Sequence, residues 1–130
     1  MMVVDASAVI RLLANRGIDD MLRQRMSAPR TLHAPHLVDA EVGSGIRGLR
    51  LGRKVDRERA DEMLTDFASL RITRHPLLPY LSRVIDLRDN LSAYDAAYVV
   101  LAEALAIPLL TTDAKLAGAA GHTAEVQVYP

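Results

Sequence analysis

Residues 91–117 read LSAYDAAYVVLAEALAIPLLTTDAKLA: a helix, a short apolar strand and the start of another helix. Ser92 is a helix-capping residue type, placed just before a run that is apolar over most of its length. IPLLTT is uncharged and reads as a buried strand. Asp95 is the residue that does not fit burial. It either completes a capping box, reaching back to the Ser92 N–H, or serves as one ligand of a metal site.

Upstream, MVVD reads as a short strand, followed by a helix ASAVIRLLANRG closed by Gly17 as C-cap. A second helix is expected over Asp19–Met26, ending near Pro29. TLHAP is a brief strand broken by Pro35, and HLVDAEVGSGIRGLRLG a helix weakened by Gly43, Gly45 and Gly48. DRERADEMLTDFASL is amphipathic, with Ala60, Met63, Leu64, Phe67 and Leu70 on one stripe. RITRH is a strand candidate, LPYLSRVIDLRD a helix, and AEVQVYP the last strand. Strands alternating with helices predict an α/β fold, a parallel sheet with helices on both faces.

The 130 residues are half hydrophobic, enough for one domain, 1–130, with its own core. Sixteen basic residues balance sixteen acidic ones, so any polyanion must be met by a local patch. No cysteine is present, which removes disulfides and thiolate zinc sites and fits a reducing compartment. The start MMVVDASAVIRLL has no basic n-region, and no uncharged run approaches the ~18 residues of a membrane span. A soluble, cytoplasmic protein is the expectation.

Asp5 ends the first strand and Asp113 directly follows LLTT, where parallel sheets build their sites. Glu41, Asp95 and Asp5 have no basic neighbour at helical spacing, and Asp113 has only Lys115, two residues on. Each also has an ordinary reading: Asp95 and Asp113 as helix caps, Glu41 as a solvated helix acid. Asp5 is hardest to explain that way, because an unpaired carboxylate at a buried junction is costly. If the acids meet, each pair ~5 Å apart repels by roughly 3 kcal/mol at a dielectric near 20. A divalent ion bound by oxygen ligands, Mg²⁺ or Mn²⁺, relieves that repulsion and suits phosphodiester hydrolysis.

Taken in order, VVDASAVIRLL, Glu41, LSAYDAAYVVLAEAL and IPLLTTDAKLA resemble the PIN-domain nucleases, specifically the VapC toxins of bacterial toxin–antitoxin pairs. The resemblance covers essentially the whole chain, and its most specific part is 91–117. It implies a PIN-like three-layer fold with a parallel sheet of about five strands, and Mg²⁺- or Mn²⁺-dependent cleavage of RNA. The family's acids fall on Asp5, Glu41, Asp95 and Asp113. Asp5 and Asp95 would be core metal ligands, Glu41 would orient the attacking water or bind metal through water, and Asp113 would complete the cluster. The family's hydroxyl residues fall on Ser7 and on Thr111 or Thr112, and Ser7 and Thr112 would hold ligands or scissile phosphate by hydrogen bonds. Asp39 competes with Glu41, and two residues apart on a helix only one should face the cluster. The resemblance further implies a homodimer and a cognate VapB-type antitoxin.

Arg47, Arg50, Arg53 and Lys54, within RGLRLGRKVDRER, are the RNA-contact candidates, with a solvated helix connection as the alternative. DDMLRQRM and DEMLTDFASL, including Met63 and Phe67, are candidate surfaces for a protein partner. His33 and His36 form an H-x-x-H, but on a proline-broken segment without cysteine, which weighs against zinc. A phosphoacceptor receiver needs paired acids after its first strand, whereas Ala6 follows Asp5. A haloacid-dehalogenase-type phosphatase needs Asp where Ser7 stands. The remaining rival is a PIN-like protein- or RNA-interaction module whose chemistry has lapsed.

Overall fold

The computed structural model of the protein describes residues 1–14, 23, 24, 26 and 31–129. The Gly17 cap, most of the helix expected over Asp19–Met26 and its end near Pro29 lie outside the described residues. Five strands form the sheet: β1 (Met2–Val4), β2 (Leu32–Pro35), β3 (Ile72–His75), β4 (Leu109–Thr111) and β5 (Val126–Val128). Their order is β3-β2-β1-β4-β5 and every pairing is parallel. The helices are α1 (Ala6–Ala14), α2 (Leu37–Leu51), α3 (Arg57–Ser69), α4 (Leu81–Asp86), α5 (Ala93–Leu105) and α6 (Ala114–Gly118).

The central strands β1 and β4 are buried at every residue, as parallel strands covered on both faces must be. Val3 pairs with His33 on one side and Leu109 on the other. From β1 the chain builds outward through β2 and β3, then returns to lay β4 and β5 on the opposite flank. That reversal opens a crevice at the carboxyl ends of β1 and β4, the topological switch point.

Helix α5 is the central packing element: Ala96 through Ala102 are all buried, so this helix has an apolar surface nearly all round. Ser92 Oγ accepts the Asp95 N–H at 3.1 Å, and the helix closes on Ala106 in the left-handed region (φ 54°). The three glycines of α2 do not interrupt it. Gly43 and Gly48 face open space, while Gly45 lets α1 approach so closely that a Cβ there would collide with Ile10.

Helix α3 buries Ala60, Met63 and Phe67, whereas Leu64 is 48% exposed, so its apolar stripe is narrower than the sequence pattern. Met63 and Phe67 are spent in the core, which corrects their reading as a partner surface. LPYLSRVIDLRD divides into a 3₁₀ turn (Leu78–Tyr80) and the short α4, leaving Leu78, Leu81 and Ile85 exposed. Among the described residues, no helix is long and apolar enough to cross a membrane.

Candidate active site

Asp5 sits one residue past β1, at the switch-point crevice, and is nearly wholly buried. It caps α1: its Oδ1 accepts the Ala8 N–H at 3.0 Å, the N3 donor of that helix. Oδ1 also accepts the Ser7 hydroxyl at 2.6 Å, and Oδ2 accepts the Thr111 hydroxyl at 2.5 Å. Ser7 Oγ in turn accepts the Thr112 N–H at 3.1 Å, and Thr111 Oγ1 accepts the Asp113 N–H at 3.0 Å. Each hydroxyl has a single proton and gives it to Asp5, so the 3.3 Å approach of Ser7 to Thr111 is a contact between two acceptors. The knot therefore stitches the end of β1 to the end of β4.

Three donors favour the ionised carboxylate, yet the Asp5 pKa lies above the ordinary aspartate value. Burial is the largest cause, and the charge of Asp95 adds to it against the hydrogen bonds. Asp95, half-buried in the first turn of α5, is thus an electrostatic neighbour of Asp5. Only half of the expected capping box forms. Ser92 takes the Asp95 N–H, but among the described residues the Asp95 carboxylate makes no hydrogen bond back to Ser92.

One helical turn on, at the i+3 position, Tyr98 shares that face of α5. Its hydroxyl donates to Glu41 Oε1 at 2.5 Å. Burial, Glu41 and the Asp5 charge together hold the Tyr98 pKa far above the usual phenol range. Asp39 turns the other way and takes a bidentate ion pair from Arg74, with Nη2 at 2.7 Å. Of the two competing acids, Glu41 is the one bonded to Tyr98, whose hydroxyl also feels the Asp5 charge.

Asp113 realises its ordinary reading: it caps α6, with Oδ1 accepting the Lys115 N–H at 3.0 Å. It joins the knot through its backbone N–H rather than its carboxylate. The hydroxyl beside Ser7 is that of Thr111, not Thr112. Thr111 is wholly buried and bonded to Asp5, while half-exposed Thr112 contributes its N–H. Among the described residues, no three histidine or carboxylate groups stand close enough to enclose an ion as they are.

The basic residues lie elsewhere. Glu41 is in the first turns of α2, which starts beside the carboxyl end of β2. Arg50, nine residues on, is half a revolution round and roughly 14 Å further along the axis. Arg53 and Lys54 close the end of α2, where Lys54 N–H reaches Leu49 O, Arg53 adopts φ 56°, and both line a cleft of about 270 Å³ with Arg50. None of Arg47, Arg50, Arg53 and Lys54 makes an ion pair among the described residues. They are exposed cations, and Arg50 stands well along α2 from Glu41. His33 pairs through Nδ1 with His75 Nε2 at 2.8 Å across β2 and β3, while His36 starts α2 from an exposed position. The H-x-x-H is split accordingly.

A parallel α/β sheet with a buried acid at its switch point, within reach of the Asp95 charge from a flanking helix, belongs to the class of α/β folds that place their sites at the strand ends. Residues 2–121 match the PIN domain. The chain belongs to the PIN-domain family, in its VapC branch. It is 41% identical over 130 residues to the VapC ribonuclease Mb0985 of Mycobacterium bovis, covering 100% of this chain and 99% of that one. Ribonuclease VapC1 of Mycobacterium tuberculosis is 39% identical over 127 residues, covering 97% and 96%. Two solved structures share the fold. VapBC2 from Rickettsia felis, bound to a promoter DNA fragment, aligns with TM-score 0.71 at 15% identity over 96% of this chain and 97% of that one. PAE2754 from Pyrobaculum aerophilum aligns at 0.65 and 24% identity over 90% and 84%.

Proposed function

We propose that the protein is the toxin of a type II toxin–antitoxin pair, an endoribonuclease that hydrolyses RNA with Mg²⁺ or Mn²⁺ at the switch-point acids. The observation that carries this reading is the buried Asp5, fixed by Ser7, Thr111 and Ala8, within reach of the Asp95 charge and, among the described residues, with no cation paired to either. A donor set made only of carboxylates and hydroxyls fits a hard divalent ion rather than zinc. Burial and the Asp95 charge both disfavour ionised Asp5, and a bound cation offsets both.

In this reading Asp5 and Asp95 would hold the ion, Glu41 would orient the attacking water, and Asp113 would complete the acidic rim. Such an ion, when bound, would supply Lewis-acid chemistry at the scissile phosphate and activation of water at neutral pH. Asp5 has little freedom to move, because Oδ1 is filled by two donors and Oδ2 keeps a single lone pair. Ser7 and Thr111 therefore preset its direction. Arg47, Arg50, Arg53 and Lys54 hold the RNA backbone away from the cut, in a salt-sensitive manner. One domain, 1–130, carries all of these parts.

The reading includes a cognate VapB-type antitoxin, a homodimer and a cytoplasmic location. Exposed Leu78, Leu81 and Ile85 supply apolar area for a protein partner. The rival, a silent interaction module, is separated by one experiment. Purified protein is incubated with a mixed RNA pool and Mn²⁺, with EDTA and Asp5→Asn as controls. Cleavage that both controls abolish supports the reading; cleavage that survives Asp5→Asn, or no cleavage in any RNA, contradicts it.

A further inference from the structure

We infer that Tyr98 is a positioning residue for the nuclease reaction, holding Glu41 by one oxygen so that the other would be presented to the attacking water. The inference rests on the proposed function and adds a residue to its machinery. Three features carry it. First, the direction of the bond is fixed: a carboxylate oxygen accepts, so the phenol O–H of Tyr98 donates to Glu41 Oε1, 2.5 Å away.

Second, Tyr98 is 2% exposed, so its ring cannot swing aside. It lies within the most buried stretch of α5, Ala96 through Ala102. Glu41, by contrast, is a long, half-buried side chain with rotamers to lose. A rigid donor on a flexible acceptor fixes the acceptor. Third, Asp95 precedes Tyr98 by three residues on the same face of α5, and the Asp5 charge reaches the Tyr98 hydroxyl. That hydroxyl ties α2 to α5, the elements that bring Glu41 and Asp95. Among the described residues Glu41 Oε2 has no hydrogen-bond partner, which leaves it for solvent at the site.

The test is a double-mutant cycle of Tyr98→Phe and Glu41→Ala, read by Mn²⁺ calorimetry and by kcat and KM on a cleavable RNA. Tyr98→Phe keeps the ring in the core, and circular dichroism and urea unfolding verify that the fold is retained. The expected result is a loss of roughly tenfold in kcat or Mn²⁺ affinity with KM for RNA unchanged. In the Glu41→Ala background, Tyr98→Phe should cause no further loss, because its target is gone. If Tyr98→Phe matches the parent in both readouts, or costs the same factor with Glu41 already removed, the positioning role is overturned and Tyr98 is core alone. A parent that takes up no Mn²⁺ overturns the nuclease reading itself, a result distinct from a metal-binding parent indifferent to Tyr98→Phe.

Discussion

Replacing Thr111 by Val while leaving Thr112 intact tests the hydroxyl knot that fixes Asp5. Thr111 is wholly buried, so Val fills the same space and only the hydroxyl is lost. That hydroxyl donates to Asp5 Oδ2 at 2.5 Å, a bond to a charged acceptor contributing about 1.5–3 kcal/mol. It also accepts the Asp113 N–H, and orphaning that donor costs about 1 kcal/mol at the low end, since Asp113 is half-buried. The extra methyl returns something under 1 kcal/mol. The net expectation is a destabilisation of about 2–3 kcal/mol. For a chain of this size that is roughly 6–15 °C in Tm. Thr112→Val is the control: its hydroxyl has no partner among the described residues, and about 0.5 kcal/mol either way is expected. Urea unfolding at pH 8 without divalent ions measures both, as a change in midpoint at constant slope. Equal effects from the two variants, or a larger one from Thr112→Val, would refute the assignment.

Asp5→Asn should make metal-free stability less sensitive to pH. The folded-state pKa of Asp5 lies above the unfolded value near 3.8, so between the two the folded state binds more protons and stability falls as pH rises. Above the folded pKa the penalty is fully present, so the Tm advantage of Asp5→Asn should grow from pH 4 to pH 8; a constant or shrinking difference would contradict the sign. In α2, Gly43→Ala and Gly48→Ala should each stabilise by about 0.5–1 kcal/mol in urea unfolding. Gly45→Ala should gain less or lose stability because Ile10 must move, so three equal gains would contradict the α1–α2 packing. Arg50→Ala and Lys54→Ala should weaken RNA binding in filter or anisotropy assays without changing kcat. Each should lower the slope of log K against log salt by roughly 0.7 for a single strand, and an unchanged slope would remove that residue from the RNA path.

The block 91–117 was legible because its signals are local. Ser92 caps α5, Asp113 caps α6, and the uncharged run between them is β4. The parallel sheet followed from the alternation of strands and helices, and the position of Asp5 at the end of β1 from the apolar run before it. The choice between Thr111 and Thr112 was not legible, because β4 is buried on both faces and gives no alternating pattern to mark which hydroxyl turns inward. Separating Asp39 from Glu41 needed Arg74, thirty-five residues away, and no local rule supplies that pair. Leu64 sits on the apolar stripe of α3 yet faces solvent, since only contact with other elements decides how wide a stripe is covered. Tyr98 had a usable signal: it lies three residues after Asp95 and so on the same helical face. The position of the basic run was also within reach, because a rise of about 1.5 Å per residue already carries Arg50 well past Glu41.

Calorimetric titration of Mn²⁺ into the metal-free parent and into Asp95→Asn tests most directly whether the switch-point acids form one ion site. Asp95 is the informative choice, because its carboxylate makes no hydrogen bond among the described residues that the fold would lose. The account predicts saturable binding by the parent and an affinity at least tenfold lower for Asp95→Asn, with both proteins equally folded. Equal Mn²⁺ affinity in the two proteins, or none in the parent, would contradict it.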